Sequence, residues 1–153
     1  MKTCIQARAV FLMPPYPGEL HIVQQAKGIR LVGCLTGFPP NSLHGFHVHE
    51  YGETGHDCLD AGPHYNPLKN PHGGIQSAVR HVGDLGNLRS DANGLLCASN
   101  YYPETDLTGR HGVLGRTLVI HEREDDLGMA GTPDSQATGS SGRRLSCAVI
   151  NPI

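Results

Sequence analysis

Apolar and polar residues alternate in short runs along most of this 153-residue chain. Runs of this length with a period of two, bounded by Gly, Pro, Asn or Asp, are typical of β-strands. Seven runs show the pattern clearly and an eighth is weaker: residues 4–11, 19–25, 29–38, 45–51, 80–85, 115–122 and 145–150, with 95–102 as the weaker run. No stretch shows a convincing amphipathic helical period. The pattern predicts an all-β fold with seven or eight antiparallel strands in a sandwich or closed barrel.

Two intervals between these runs are too long to be hairpin connections. Residues 50–80 and 122–143 each span twenty or more positions. Loops of that length in a compact domain are usually functional or disordered. The first interval also contains many of the histidines, so we expect it to carry part of a functional site.

Composition agrees with short strands and many turns. The chain has 20 glycines and 11 prolines, and only 17% of its residues are charged. Gly and Pro favour turns, and a chain of this length is expected to form one domain, residues 1–153. The N-terminal stretch resembles neither a signal peptide nor a membrane span, which predicts a cytoplasmic protein. The net charge of −2 and the scattered basic residues argue against a nucleic-acid or membrane partner.

Histidines carry the clearest chemical signal. The chain has ten, and six of them lie between His44 and His72. His47 and His49 are two apart in a predicted strand, so their side chains face the same side. His121 ends another predicted strand, and Asp84 is a carboxylate close to His81. Imidazole ligands suit copper and zinc, and one carboxylate among histidines suits zinc, so the residues alone predict a copper and/or zinc protein.

The five cysteines show no metal-binding spacing. They are Cys4, Cys34, Cys58, Cys97 and Cys147. Without a CxxC pair, a cysteine-rich zinc site is not supported. In a cytosolic chain each would ordinarily be a small reduced residue of the core. Spacing alone identifies no disulfide.

Several longer motifs resemble those of the intracellular copper/zinc superoxide dismutases. They are GFHVHEYG, AGPHYNP, RHVGDLGN, GRTLVIHE and DDLG, followed by GRRLSCAVI. The match is dense from Leu43 to Gly94 and from Gly115 to Ile150, and looser at the N-terminus and through LLCASNYYPETDLTG. The resemblance implies an eight-stranded antiparallel Greek-key sandwich or barrel with two long functional loops, an architecture established for this family.

The resemblance also implies which residues bind metal. His47, His49, His64 and His121 match the copper ligands, and His64, His72, His81 and Asp84 match the zinc ligands. His64 is therefore expected to bridge one copper and one zinc ion per chain. Asp125 matches a carboxylate that hydrogen-bonds one ligand of each metal, and Arg144 matches the arginine that receives the substrate anion.

The same resemblance pairs Cys58 with Cys147 in a disulfide that ties the first long loop to the last strand. Cys4, Cys34 and Cys97 are then expected to remain free thiols. The family's homodimer and a copper-loading chaperone are the implied partners, together with superoxide as the substrate.

The implied activity is dismutation of superoxide to dioxygen and hydrogen peroxide. Copper would be reduced and reoxidised in turn, while zinc has a structural role and His64 and Arg144 act in catalysis. Two other classes are a non-enzymatic homologue for copper delivery or a decoy, and a zinc-only structural module. The complete set of ligand and channel residues argues against the first, and metal analysis would discriminate all three classes.

The chain departs from the family at two places. In the second long loop, Ala137 replaces an expected lysine, and Pro133 with Asp134 replaces two glutamates. We expect Arg143 to compensate by adding a positive charge near the copper channel. At the C-terminus, Asn151 and Pro152 replace a glycine-isoleucine pair of the family's dimer contact, and a homodimer is still expected.

Overall fold

A computed structural model describes residues 4–153 and shows nine strands in two antiparallel sheets. The strands are β1 (Gln6–Phe11), β2 (Gly18–Gln24), β3 (Ile29–Leu35), β4 (Leu43–His49), β5 (Asp84–Arg89), β6 (Leu96–Tyr102), β7 (Thr117–His121), β8 (Arg144–Val149) and β9 (Asn151–Pro152). The larger sheet has the order β6-β3-β2-β1-β9 and the smaller one β5-β4-β7-β8. The all-β prediction is confirmed, and this arrangement is consistent with a Greek-key sandwich.

The core fills the space between the two sheets, as the alternating pattern predicts. In β1, Ala7, Ala9 and Phe11 are buried while Arg8 and Val10 are exposed. Every second side chain therefore faces the other sheet, which is the usual arrangement in a β-sandwich. Burial of these apolar faces supplies the main stabilisation of such a fold.

The smaller sheet differs because β4 and β7 are buried on both faces. In β4, Phe46 and Val48 belong to the apolar core, whereas His47 and His49 point to the opposite face and are nevertheless buried. The two long loops cover that face, residues 50–83 between β4 and β5 and residues 122–143 between β7 and β8. The fold thus encloses a polar layer between this sheet and its loops.

Three details of the secondary structure differ from the prediction. The strand predicted at residues 80–85 lies at 84–89, because residues 81–84 form a turn in which the Asp84 backbone N–H donates to the His81 carbonyl. The second loop contains a short helix, α1 (Pro133–Thr138), which is too short to show a helical period. Thr132 caps its first turn by accepting a hydrogen bond from the backbone N–H of Ser135. β9 is a ninth strand of two residues, beyond the eight predicted.

The structure contains two disulfides. Cys58–Cys147 connects the first loop to β8, as the resemblance implied. Cys34–Cys97 was not predicted, and the expectation that both are free thiols is wrong. These cysteines are directly opposed on β3 and β6 with a Cα–Cα distance of 4.1 Å, although 63 positions separate them in sequence. Cys4 is a free, exposed thiol.

The only α-helix in the described part of the chain has six residues. No helix among residues 4–153 has the length and apolarity needed to cross a bilayer.

Candidate metal centre

Strand geometry places three of the predicted ligands side by side. His47 and His49 project from the same face of β4, and His121 ends the adjacent strand β7. The Nε2 atoms of His49 and His121 are 3.3 Å apart. Together with His64, these residues offer four buried ligand atoms that all lie within 4.8 Å of one another.

Each of the three rings is oriented by a partner that can only accept a hydrogen bond. The Nδ1–H of His49 donates to the Gly62 carbonyl at 2.8 Å, and that of His121 donates to the Gly142 carbonyl at 3.1 Å. A neutral imidazole carries one ring proton, so the Nε2 of both rings keeps a free lone pair. His47 has the opposite arrangement, since its Nε2–H donates to Asp125 at 2.7 Å and its Nδ1 is left as the free nitrogen.

His64 lies between two groups of ligands. Its Nδ1 is 3.0 Å from Asp84 Oδ1 and 3.1 Å from His81 Nδ1. Its Nε2 is buried and has no hydrogen-bond partner among residues 4–153. The ring centroids of His47 and His64 are 4.0 Å apart, on the side of the first group. The imidazole of His64 therefore directs one ring nitrogen toward each of the two groups of ligands.

The second group surrounds the carboxylate of Asp84. Asp84 Oδ1 is 2.9 Å from His72 Nδ1, 3.0 Å from His64 Nδ1 and 3.3 Å from His81 Nδ1. Four donors at these separations approximate a tetrahedron, since zinc bonds of about 2.0–2.1 Å give edges of about 3.3 Å. By distance alone, the ligand atoms of His47, His64, His72 and Asp84 could also hold one metal ion together. We assign His81 rather than His47 to the second group, because the free nitrogen of His47 faces the first group and His81 contacts two members of the second.

The unpaired nitrogens show that these residues fit metal ions. The Nδ1 of His47 and the Nε2 of His64 are buried without hydrogen-bond partners in the described chain. Leaving buried polar atoms unpaired is costly, and clustered lone pairs repel unless a cation lies between them. Four nitrogens suit copper, and three nitrogens with one carboxylate suit zinc.

The carboxylate of Asp125 connects the two groups by a hydrogen bond to one histidine of each. Its Oδ2 accepts a hydrogen bond from His47 Nε2 and its Oδ1 accepts one from His72 Nε2, both at 2.7 Å. Asn87, which no sequence motif singles out, exchanges two hydrogen bonds with the Asp125 backbone at 2.7 and 2.9 Å. One carboxylate thus fixes the orientation of one ring in each group.

Gly139 is a second residue that only the structure reveals. It ends α1 with φ of 77°, a left-handed conformation that favours glycine. A Cβ atom at this position would lie 2.0 Å from Asp125 Oδ1 and 2.5 Å from His72 Nε2. Glycine is therefore needed for the second loop to approach the Asp125–His72 hydrogen bond.

Burial keeps most of these histidines neutral in the metal-free protein. It lowers the pKa of His47, His49 and His64 below the usual value, and lowers that of His121 to about 4. Metal ligation requires the unprotonated ring, so these four are ready to bind at neutral pH.

His72 and Asp84 behave as an ion pair instead. Burial opposes the charge of His72, but hydrogen bonds to Asp125 and Asp84 raise its pKa to about 9. Burial likewise opposes the charge of Asp84, but hydrogen bonds from His64, His72 and His81 hold its pKa well below the usual range. A cation that binds here must displace a proton from this pair.

A cavity of about 660 Å³ leads to the first group. His49, His64, His121 and Arg144 are among the residues that line it. The Nη1 of Arg144 donates to the Cys58 carbonyl at 2.8 Å, and Cys58 is held by its disulfide to Cys147. This contact leaves the remaining guanidinium donors of Arg144 to receive an anion.

The rewritten second loop contributes no additional cation to this cavity. Ala137 and Asp134 line it, together with Glu50. Our expectation for Arg143 is wrong, because its Nε and backbone N–H both donate to the carboxylate of Glu122, at 2.9 and 2.8 Å. Arg143 is not among the lining residues, so Arg144 is the only Arg or Lys of the described chain that lines the cavity.

A buried histidine–carboxylate cluster that opens to a cavity with an arginine at its wall is the arrangement expected of a β-sandwich protein that binds two metal ions and a small anion. Residues 16–150 match the family model for copper/zinc superoxide dismutase. The chain belongs to the copper/zinc superoxide dismutase family.

Individual relatives cover most of the chain. A Cu-Zn superoxide dismutase of Paramecium bursaria Chlorella virus 1 is 41% identical over 89% of this chain and 73% of its own length. One from Yarrowia lipolytica is 47% identical over 76% of this chain and 75% of its own length. An extracellular Cu-Zn superoxide dismutase of Caenorhabditis elegans is 41% identical over 89% of this chain and 61% of its own length.

Proposed function

We propose that this chain catalyses the conversion of two superoxide anions and two protons to dioxygen and hydrogen peroxide. The observation that carries the proposal is the position of His64, whose two ring nitrogens face two separate groups of metal-ligand atoms beside an arginine-lined cavity. His47, His49, His64 and His121 would hold copper, and His64, His72, His81 and Asp84 would hold zinc. Bound copper supplies one-electron exchange with superoxide, and zinc supplies a fixed positive charge without redox chemistry.

The protein's own residues bind the anion and deliver a proton. The guanidinium of Arg144 attracts superoxide into the cavity and donates hydrogen bonds to it. His64 is among the residues that line the cavity, and its Nε2 is a position from which a proton can pass to the anion that becomes peroxide. The Nδ1 of His64 stays directed at Asp84, which keeps the ring in place as Nε2 gains and loses its proton.

A non-enzymatic metal-binding homologue is not favoured. Such a protein would not need an accessible cavity with a cation at its wall. Here the candidate ligands, the cavity and Arg144 are all present.

The test is a direct superoxide decay assay on protein whose copper and zinc contents have been measured. We expect one ion of each per chain and a decay that is first order in superoxide, with a rate proportional to enzyme concentration, in place of the spontaneous second-order decay. The matched control is His64→Gln, which removes the shared ligand and should abolish most of the activity. Metal-loaded protein that leaves the spontaneous decay rate unchanged would rule out the proposed function.

We further propose a homodimer. The large hydrophobic residues Ile5, Tyr51 and Ile153 are 38%, 53% and 68% exposed, which supports contact with a second copy. Asn151 and Pro152 pair with β1 at the edge of the larger sheet and are exposed, where an amide can be hydrated and a proline is tolerated. Sedimentation velocity at micromolar concentration tests this proposal, and a monomer would contradict it.

Copper loading by a chaperone and a cytoplasmic location also stay proposals. Both rest on the resemblance to the intracellular members of the family. Purification of copper-loaded protein from a host that lacks the corresponding chaperone would contradict the first. Fractionation of the source cells tests the second.

A further inference from the structure

The disulfide Cys34–Cys97 lies on the outer face of the larger sheet, and both of its residues are exposed. By contrast, the residues of Cys58–Cys147 are 0% and 4% exposed. Thiol–disulfide exchange requires a thiolate to reach one sulfur atom, so access decides which bond can react in the folded protein. The two disulfides of this chain therefore differ in the property that controls exchange.

We propose that Cys34–Cys97 is a thiol-exchange site for small thiols such as glutathione. A thiolate attacks one sulfur, the S–S bond breaks, and the other cysteine leaves as a thiolate that takes up a proton. A second thiolate then attacks the sulfur of the attached thiol and releases the protein's second cysteine. The disulfide gains two electrons and two protons, and two small thiols are oxidised to one small disulfide.

The fold does not depend on this bond. β3 and β6 remain paired over their full length, from Ile29 opposite Tyr102 to Leu35 opposite Leu96. The inward side chains of these strands, including Leu31, Leu35 and Leu96, are fully buried in the core. The candidate metal ligands belong to the smaller sheet and its loops. Exchange at Cys34–Cys97 thus leaves the fold and the metal centre intact.

The surroundings of the two sulfurs predict where the first thiolate attacks. Attack occurs in line with the S–S bond, from the side opposite the leaving sulfur. Behind Cys34 lies β2, with Glu19 directly opposite Cys34, and the Glu19 carboxylate is only loosely paired with Arg8 at 3.9 Å. Behind Cys97 the sheet ends, because β6 is its outermost strand. An anionic thiolate is repelled at Cys34 and meets no further strand of that sheet at Cys97, so the mixed disulfide forms on Cys97.

The experiment follows both disulfides in one sample. Metal-loaded protein carrying Cys4→Ser, which removes the free thiol, is incubated with reduced glutathione and quenched with an alkylating agent at intervals. Peptide mapping by mass spectrometry then gives the state of each cysteine. Circular dichroism and superoxide decay are recorded on the same samples. The matched variant is Glu19→Gln, which removes the charge behind Cys34 and conserves the shape.

We expect Cys34–Cys97 to open at least about tenfold faster than Cys58–Cys147, with glutathione attached to Cys97 and unchanged activity and circular dichroism. In Glu19→Gln a larger share of the first adduct should appear on Cys34. Equal rates for the two disulfides, or opening of Cys34–Cys97 only in denaturant, would overturn the proposal. Adducts formed mainly on Cys34 in the parent protein would overturn the direction of attack.

Discussion

Replacing Arg144 by glutamine should remove the principal attraction between the protein and superoxide. Among residues 4–153, Arg144 is the only Arg or Lys that lines the cavity, and Glu50 and Asp134 line it as well. The chain carries a net charge of −2, so an anion gains little from the rest of the molecule. We therefore expect kcat/KM to depend strongly on this one guanidinium.

The size of the loss follows from the hydrogen bonds that Arg144 can make. A hydrogen bond to a charged group contributes about 1.5–3 kcal/mol, which corresponds to a factor of about 10 to 150. Arg144 is partly exposed, so solvent screening places the effect in the lower part of that range. We expect kcat/KM to fall about 10- to 50-fold at low ionic strength.

The assay is superoxide decay measured as a function of salt. Charges separated by more than about 10 Å are largely screened at 0.1 M salt, compared with about 30 Å at 0.01 M. The parent enzyme should therefore slow as salt rises, whereas Arg144→Gln should show a weaker dependence. Copper and zinc contents must match in all samples.

Arg143→Gln is the matched control. It removes the same charge one residue away, but Arg143 is paired with Glu122 and lies outside the cavity. Its kcat/KM should stay within about twofold of the parent value, because exposed ion pairs contribute little. An unchanged rate in Arg144→Gln, or an equal loss in Arg143→Gln, would refute the reasoning.

Three further outcomes follow from the metal centre. Asp125→Asn should weaken zinc binding about 10- to 100-fold, because an amide cannot accept hydrogen bonds from both His47 and His72. Competition with a chelator measures the zinc affinity, and an unchanged affinity would contradict this prediction. Gly139→Ala should lower the stability of the metal-loaded protein by at least about 1 kcal/mol in denaturant titration, since alanine at that φ is strained and crowds Asp125; unaltered stability would contradict this. In the metal-free protein the pKa of His72 is raised to about 9. The stabilisation from its charge is therefore fully present below about pH 6.5 and is lost as the pH rises through 9. Tm should fall over that interval, and an equal fall in His72→Gln would show that another group is responsible.

The strand pattern predicted the fold because alternation reports directly which side chains face the core. β1 shows this most simply, with Ala7, Ala9 and Phe11 inward and Arg8 and Val10 outward. The pattern was misleading at residues 80–85. There His81 and Asp84, three positions apart, turn toward the same point in a loop, and the apolar pattern around them cannot distinguish such a loop from a strand.

Much of the candidate site could be predicted from motifs, but the residues that hold the ligands in position could not. Asn87 and Gly139 act through contacts with Asp125 that join distant parts of the chain. The Cys34–Cys97 bond depends on the register between β3 and β6, which the spacing of the cysteines does not contain. The pairing of Arg143 with Glu122 likewise arises only when the two ends of the second loop meet.

The central claim is that His64 joins the two metal sites, and magnetic coupling tests it most directly. Protein with copper in the first site and cobalt(II) in place of zinc should show a copper electron paramagnetic resonance signal that is strongly weakened, because a shared imidazole couples the two ions. In His64→Gln with the same metal contents the full copper signal should return. A full, uncoupled copper signal in the parent protein with both sites occupied would contradict the account.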